Sequence, residues 1–213
     1  MNPLISLPAA FGASLLGLLH RSWEVKTTGL ERLDDLLGQG KPVLVIFWHG
    51  KYLPLFPLLQ GRGACVFASQ SLRGEIICAL CRRFGHHCFT LDEQIAFQSL
   101  ATLRQALARS PLAALVPDGP RGPYHQVKPG LIRLCGELCL TLLPASVTAH
   151  PRLVLKHRWD RMEVPWPYAR VSLAFGAPLE IPRDLDHPSL QMWAERVREA
   201  LEAADAQASA RLE

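Results

Sequence analysis

The sequence predicts a single α/β domain, a mixed and mainly parallel sheet flanked by helices on both faces. Three observations lead there. Apolar β-type runs alternate with stretches of helical periodicity along most of the chain. The most apolar run, Val43-Leu44-Val45-Ile46-Phe47-Trp48, has no polar face and so reads as a central strand buried on both sides. A length of 213 residues with 49% hydrophobic and 20% charged content suffices for one full core and fits one domain better than two.

Taken in order, Met1 to Leu19 carries no charged side chain, and Leu4, Ile5, Leu7, Phe11, Leu15, Leu16, Leu18 and Leu19 make it strongly apolar. It is short for a spanning helix, is interrupted by Pro8, Gly12 and Gly17, and lacks the basic start of a secretory signal. Two readings remain: an interfacial anchor with His20 and Arg21 at headgroup level, or a first helix buried against the domain. We take residues 1–22 as an apolar membrane-interface helix and 23–213 as the folded domain.

Trp23 to Thr28 alternates like a strand, Val43 to Trp48 forms the central one, and Ala64 to Ser69 another. The helix that follows sets Ile76, Ile77, Leu80 and Phe84 on one face and stops at Gly85. Glu93 to Arg109 is helical by the spacing of Phe97, Leu100, Leu103 and Leu107, and Ser110-Pro111 ends it before the strand Leu112 to Val116. Lys128 to Leu140 reads as helix, Thr141 to Val147, Leu153 to His157 and Val171 to Phe175 as strands. A last helix over 189–206 turns Trp193, Val197 and Leu201 to one side.

The net charge of +4 suits an anionic lipid surface or a phosphorylated substrate. Nucleic-acid binding would rest on charge alone, with no aromatic-basic motif or recognition helix beside it, and is not expected. The six cysteines are too sparse for a disulfide scaffold and read as reduced thiols. Cys78 and Cys81, with Cys135 and Cys139, have spacings that a four-thiolate zinc site could use. Both pairs lie on helical faces, where cysteine serves as a small apolar residue, so no metal is expected. There is no G-x-S-x-G elbow, no P-loop, no G-x-G-x-x-G after a strand and no H-E-x-x-H.

Reactive groups in such folds gather in loops at the carboxyl ends of strands. Two loops stand out. Trp48-His49-Gly50-Lys51 follows the central strand, and a histidine there could act as general base or merely bond a backbone carbonyl. The loop from Val116 to Pro123 holds five Gly or Pro residues, with Asp118 and Arg121 as its only charges. A guanidinium in so rigid a loop suits a phosphate or carboxylate, unless it simply pairs with Asp118.

Together, F-W-H-G (47–50), S-x-S-x-x-G-E (69–75), P-D-G-P-R-G-P (117–123), V-x-P-G (127–130) and W-D-R-x-E-V-P-x-P (159–167) resemble one bacterial branch of the lysophospholipid acyltransferase superfamily, a branch long catalogued as a domain of unknown function. The similarity runs from about Trp23 to Pro178, and the proline-glycine loop is its most specific part. It implies a glycerol-phosphate acyltransferase-like fold. It implies His49 as the base that deprotonates an acceptor hydroxyl for attack on an acyl thioester of acyl carrier protein or coenzyme A. It further implies Trp48, Asp118, Gly119, Arg121 and Lys128 around the substrate, with Arg121 toward a phosphate. The acceptor would be a lysophospholipid or a lipid A precursor at the cytoplasmic face of the inner membrane, and no cofactor beyond the acyl donor is implied. The superfamily's orienting Asp, five residues after the histidine, is Pro54 here, which leaves Glu75 either as the acid that orients His49 or as an ordinary helix-start carboxylate. Loss of that acid motivates a second reading, a lipid-binding protein with weakened catalysis.

Overall fold

The first helix, α1 (Pro3–Ser22), leads into strand β1 (Glu24–Thr28), helix α2 (Leu30–Gly38) and strand β2 (Val43–Ile46). A short 3₁₀ turn over His49–Lys51 runs straight into α3 (Tyr52–Leu58). Two further strand-helix units follow: β3 (Cys65–Ser69) with α4 (Leu72–Arg83), and β4 (His87–Leu91) with α5 (Ala96–Arg109). After β5 (Leu112–Leu115) and α6 (Pro129–Leu138), a long hairpin of β6 (Thr141–Val154) and β7 (Glu163–Phe175) is followed by the short β8 (Leu179–Glu180) and by α7 (His187–Ala210). This computed structural model describes residues 3–91, 96–119 and 121–212. Glu93, where the sequence begins its third helix, and Pro120 of the proline-glycine loop lie outside the described residues.

The eight strands form one sheet in the order β1-β7-β6-β2-β5-β3-β4, with β8 on β6. Pairing is parallel except at β6–β7 and β6–β8, so the mixed, mainly parallel expectation holds. β2 lies at the middle and is buried on both faces, which is why its sequence shows no polar alternation. Val43, Val45 and Phe47 enter one core with α1 to α4, while Leu44, Ile46 and Trp48 enter the other with α5, α6 and α7. The strand therefore delivers its last residues to the sheet's carboxyl edge with little freedom.

Three details depart from the sequence reading. The strands expected at 141–147 and 153–157 are one element, β6, whose register slips between His150 and Arg152 but whose pairing with β7 continues to Val154. Helix α3 stands where the sequence reading assigned no element; its Pro54 sits in the first turn, where a missing N–H has no helical acceptor to lose, and Pro57 lies inside its last turn. The cysteines are not all reduced: Cys78 on α4 is bonded to Cys88 on β4, with Cα atoms 5.1 Å apart. Spacing along a helix drew attention to Cys81 and Cys135, but the partner of Cys78 lies on the adjacent strand, and a sulfur so bonded is no zinc ligand. Among the described residues no cluster of three or more His, Cys, Asp or Glu is placed to hold a metal ion.

Candidate active site

The end of β2 turns at Trp48 and presents His49, with the side chain only 20% exposed. Its Nδ1 lies 2.7 Å from Asp160 Oδ2. An ionised carboxylate only accepts, so the proton of the neutral ring sits on Nδ1 and the lone pair on Nε2. Asp160 comes from the tip between β6 and β7, is fully buried, and is also gripped by Arg158 through Nε at 2.8 Å and Nη2 at 2.7 Å. Burial pushes the Asp160 carboxyl up, yet the bonds from Arg158 and His49 outweigh it and hold the group below its ordinary range. His49 is shifted down: burial disfavours the imidazolium more than Asp160 favours it, and Arg158 adds to the downward pull. A neutral, oriented imidazole at neutral pH is the consequence.

The hairpin tip reaches His49 because two glycines admit it. A Cβ on Gly50 would stand 2.2 Å from the carbonyl oxygen of Asp160, and one on Gly122 would stand 2.9 Å from the ring of Trp159. Trp159 packs beside the His49 ring at 5.1 Å between centroids, with Tyr52 edge-on at 5.4 Å. These aromatics cover part of the ring, whose burial lowers the histidine's basicity.

Asp118 is 1% exposed, and its two oxygens accept from the backbone N–H of His49 at 3.2 and 3.4 Å. The two sequence-predicted loops thus meet. Burial pushes the Asp118 carboxyl up to about 7 against the pull of those bonds and of Lys128, and the nearby charge of Asp160 adds to the rise. Gly119 has φ +66°, and the Lys128 ammonium lies 2.6 Å from where its Cβ would be, so Lys128 lies across the loop. Arg121 is exposed on the same loop.

Two expected roles require correction. Glu75 is exposed in the first turn of α4, and the place at His49 Nδ1 belongs to Asp160, so Glu75 is a helix-start carboxylate rather than the orienting acid. Trp48, expected against substrate, is 1% exposed and covered by His125, their rings stacked at 4.3 Å. Tyr124 stacks on His125 at 3.9 Å, and the Arg161 guanidinium lies 4.8 Å above the tyrosine ring. Burial lowers His125 to about 4, so the pile holds a neutral imidazole. Its outer wall continues into an open depression of about 510 Å³ between the start of α6 and α7, lined by Gln126, Pro129 and Gln191 among others.

Asp160 and Lys51 were not singled out in the sequence, and Arg158, which sequence alone offers with Arg152, Lys156 and Arg161 as a cation for an anionic headgroup or as solvated surface, instead bonds Asp160. Lys51, 6% exposed, bonds Glu163 at 2.9 Å and lies 3.1 Å from Asp205 of α7. Burial raises Asp205, but Lys51 and the Ser146 hydroxyl at 2.5 Å more than reverse it and hold it low. The one available signal was an acidic residue inside the motif at 159–167, set between Trp159 and Arg161.

No family model matches the chain. Over 166 residues it is 28% identical to an uncharacterized protein of Rickettsia prowazekii (strain Madrid E), a match covering 75% of this chain and 74% of that protein.

Proposed function

We propose that the protein is an acyltransferase that moves a fatty acyl group from an acyl thioester of acyl carrier protein or coenzyme A to a hydroxyl of a lysophospholipid or lipid A precursor at a membrane surface. The observation that carries this is the 2.7 Å contact between His49 Nδ1 and Asp160, which leaves Nε2 as a base. Nε2 takes the acceptor's hydroxyl proton as the oxygen attacks the thioester carbonyl. The tetrahedral adduct then collapses, the carbon–sulfur bond breaks, and the thiolate takes the proton from the imidazolium. Asp160 stabilises that transient cation, and Arg158 keeps the carboxylate ionised and oriented. Arg121, on the loop that Asp118 ties to His49, supplies a cation for the acceptor's phosphate. The glycerol-phosphate acyltransferase-like fold belongs to the same proposal, supported by the motif resemblance and by the two loops meeting at the sheet's carboxyl edge.

The competing reading, a lipid-binding protein with weakened catalysis, drew on the missing acid five residues after His49. An acid supplied by the hairpin tip instead weighs against it. The deciding assay follows thioester consumption with a panel of lysolipids and lipid A precursors in detergent, for wild type, His49→Ala and Arg121→Ala. Transfer that vanishes with His49 and shows a raised acceptor KM without Arg121 supports the enzyme. Lipid binding with no turnover across the panel would leave the binding protein.

A further inference from the structure

Helix α1 carries four large apolar side chains on its outer face, although Leu16 and Leu19 pack toward the core. Leu7, Phe11, Leu15 and Leu18 are 70%, 72%, 47% and 66% exposed, while among its described side chains those buried against the domain are Ala9, Ala13 and Leu16. At 100° per residue the exposed four span about 80° of the helix, and the buried three centre about 170° away. A helix in a water-facing domain has the opposite arrangement, with its bulky residues inward. Ala9 and Ala13 let α1 lie close on the domain around Leu16, and the four exposed side chains are left for something else.

The stripe continues beyond the helix. Ser22 lies four residues after Leu18 on the same face, and its Oγ accepts from the backbone N–H of Tyr168 at 3.1 Å. One residue further, Trp23 Nε1 donates to the carbonyl of Trp166 at 3.1 Å. Tyr168 is 84% exposed and holds φ +59°, a backbone state unusual for an aromatic residue, and Trp166 is 54% exposed. β7 thus carries two outward aromatics beside the end of the α1 stripe. No acidic residue occurs in α1, and its only ionisable side chains, His20 and Arg21, stand in the last turn, just before the Ser22 and Trp23 that bond β7.

We propose that this face, Leu7, Phe11, Leu15 and Leu18 with Trp166 and Tyr168, is a docking surface for an anionic lipid bilayer, on which α1 lies in the plane of the interface. The inference builds on the membrane setting of the acyltransferase reading but is tested without any acyl donor. Charge and side-chain type choose lipid over a second copy of the chain. Aliphatic and Phe side chains enter the acyl region, Trp and Tyr settle at headgroup depth, and a terminal Arg meets anionic headgroups. No helix among the described residues is long and apolar enough to cross a membrane, which fits insertion to shallow depth.

The test is co-sedimentation of the full chain with phosphatidylcholine vesicles, with and without a one-third share of phosphatidylglycerol. Wild type should pellet with the anionic vesicles. A Phe11→Ser/Leu15→Ser chain should lose at least tenfold in partitioning, and Trp166→Ser/Tyr168→Ser, on a separate element, should lose severalfold. All of these positions are exposed, so thermal unfolding should remain that of wild type, and thioester turnover in detergent should be retained. Wild type left in the supernatant with both vesicles overturns the proposal. So does a wild-type dimer by light scattering that Phe11→Ser/Leu15→Ser converts to monomer, since that makes a second copy the occupant. Vesicle binding without acyl transfer on any acceptor would sink the catalytic reading alone.

Discussion

The ammonium of Lys51 lies 2.9 Å from Glu163, so two rungs join the same pair of chain segments: His49 to Asp160 and, two residues on, Lys51 to Glu163. The second rung also reaches α7 through Asp205. The base is therefore oriented by a hairpin tip that is itself fastened by an ion cluster around the buried Lys51. Lys51→Met removes the cation the two carboxylates share, leaving Glu163 with Arg152 alone and Asp205 with the Ser146 hydroxyl, which should cost about 2 kcal/mol, seen as a fall in Tm of roughly 6 °C. Turnover should fall further than stability explains, because the tip carrying Asp160 loosens. If calorimetry finds the variant as stable as wild type, the cluster does not fasten the tip.

Asp160→Asn keeps the size of the side chain but removes its charge. Turnover should drop between about a hundredfold and ten-thousandfold, since the imidazolium loses its counterion and the tautomer its anchor. The acid limb of kcat/KM gives the sharper readout. Asp160 is what raises the His49 pKa against burial and Arg158, so without it the limb should move to lower pH even as the plateau falls. An acid limb that stays in place would mean that the carboxylate does not act on the histidine.

How much of this was legible in advance follows from the range of the interactions. β2 was readable because burial on both faces leaves a run with no polar residue, and α4, α6 and α7 because their periodicity is local. His49 and Asp118 were readable as strand-end loops in a parallel sheet. Asp160 was not, since it meets His49 across 111 residues and only after β6 and β7 have paired to their full length. Lys51 shows the same limit: a lysine in a glycine loop reads as solvent-exposed until Glu163 and Asp205 are brought to it. Trp48 misled for the converse reason. It lies beside the base in sequence, but strand alternation sends it to the opposite core.

The Cys78–Cys88 bond closes a loop across α4 and β4. Thiol titration of unreduced, denatured protein should count four free thiols, those of Cys65, Cys81, Cys135 and Cys139. Loop-closure entropy for a separation of 10 residues gives about 2.7 kcal/mol, so a reducing phosphine should lower Tm by several degrees, and a Cys78→Ala/Cys88→Ala chain should show no such response. A count of six would return α4 and β4 to ordinary packing.

Asp118 should leave a signature in stability against pH. Its carboxyl titrates at about 7 in the folded protein and at 3.8 as a model group, so between those values the folded chain holds a proton that the unfolded chain has released. The folded state binding more protons means that this contribution is present below about pH 4 and is lost as pH rises through 7, by up to roughly 4 kcal/mol. Asn at this position is neutral throughout and its carbonyl can still accept from the His49 N–H. Asp118→Asn should therefore match wild type near pH 4.5 and gain on it steadily toward pH 8, a widening difference in Tm that differential scanning calorimetry reads directly. A difference that stays constant across that span would mean Asp118 ionises as freely as a surface carboxylate, and the tie between the two loops would then be that of a carboxylate already charged at pH 5.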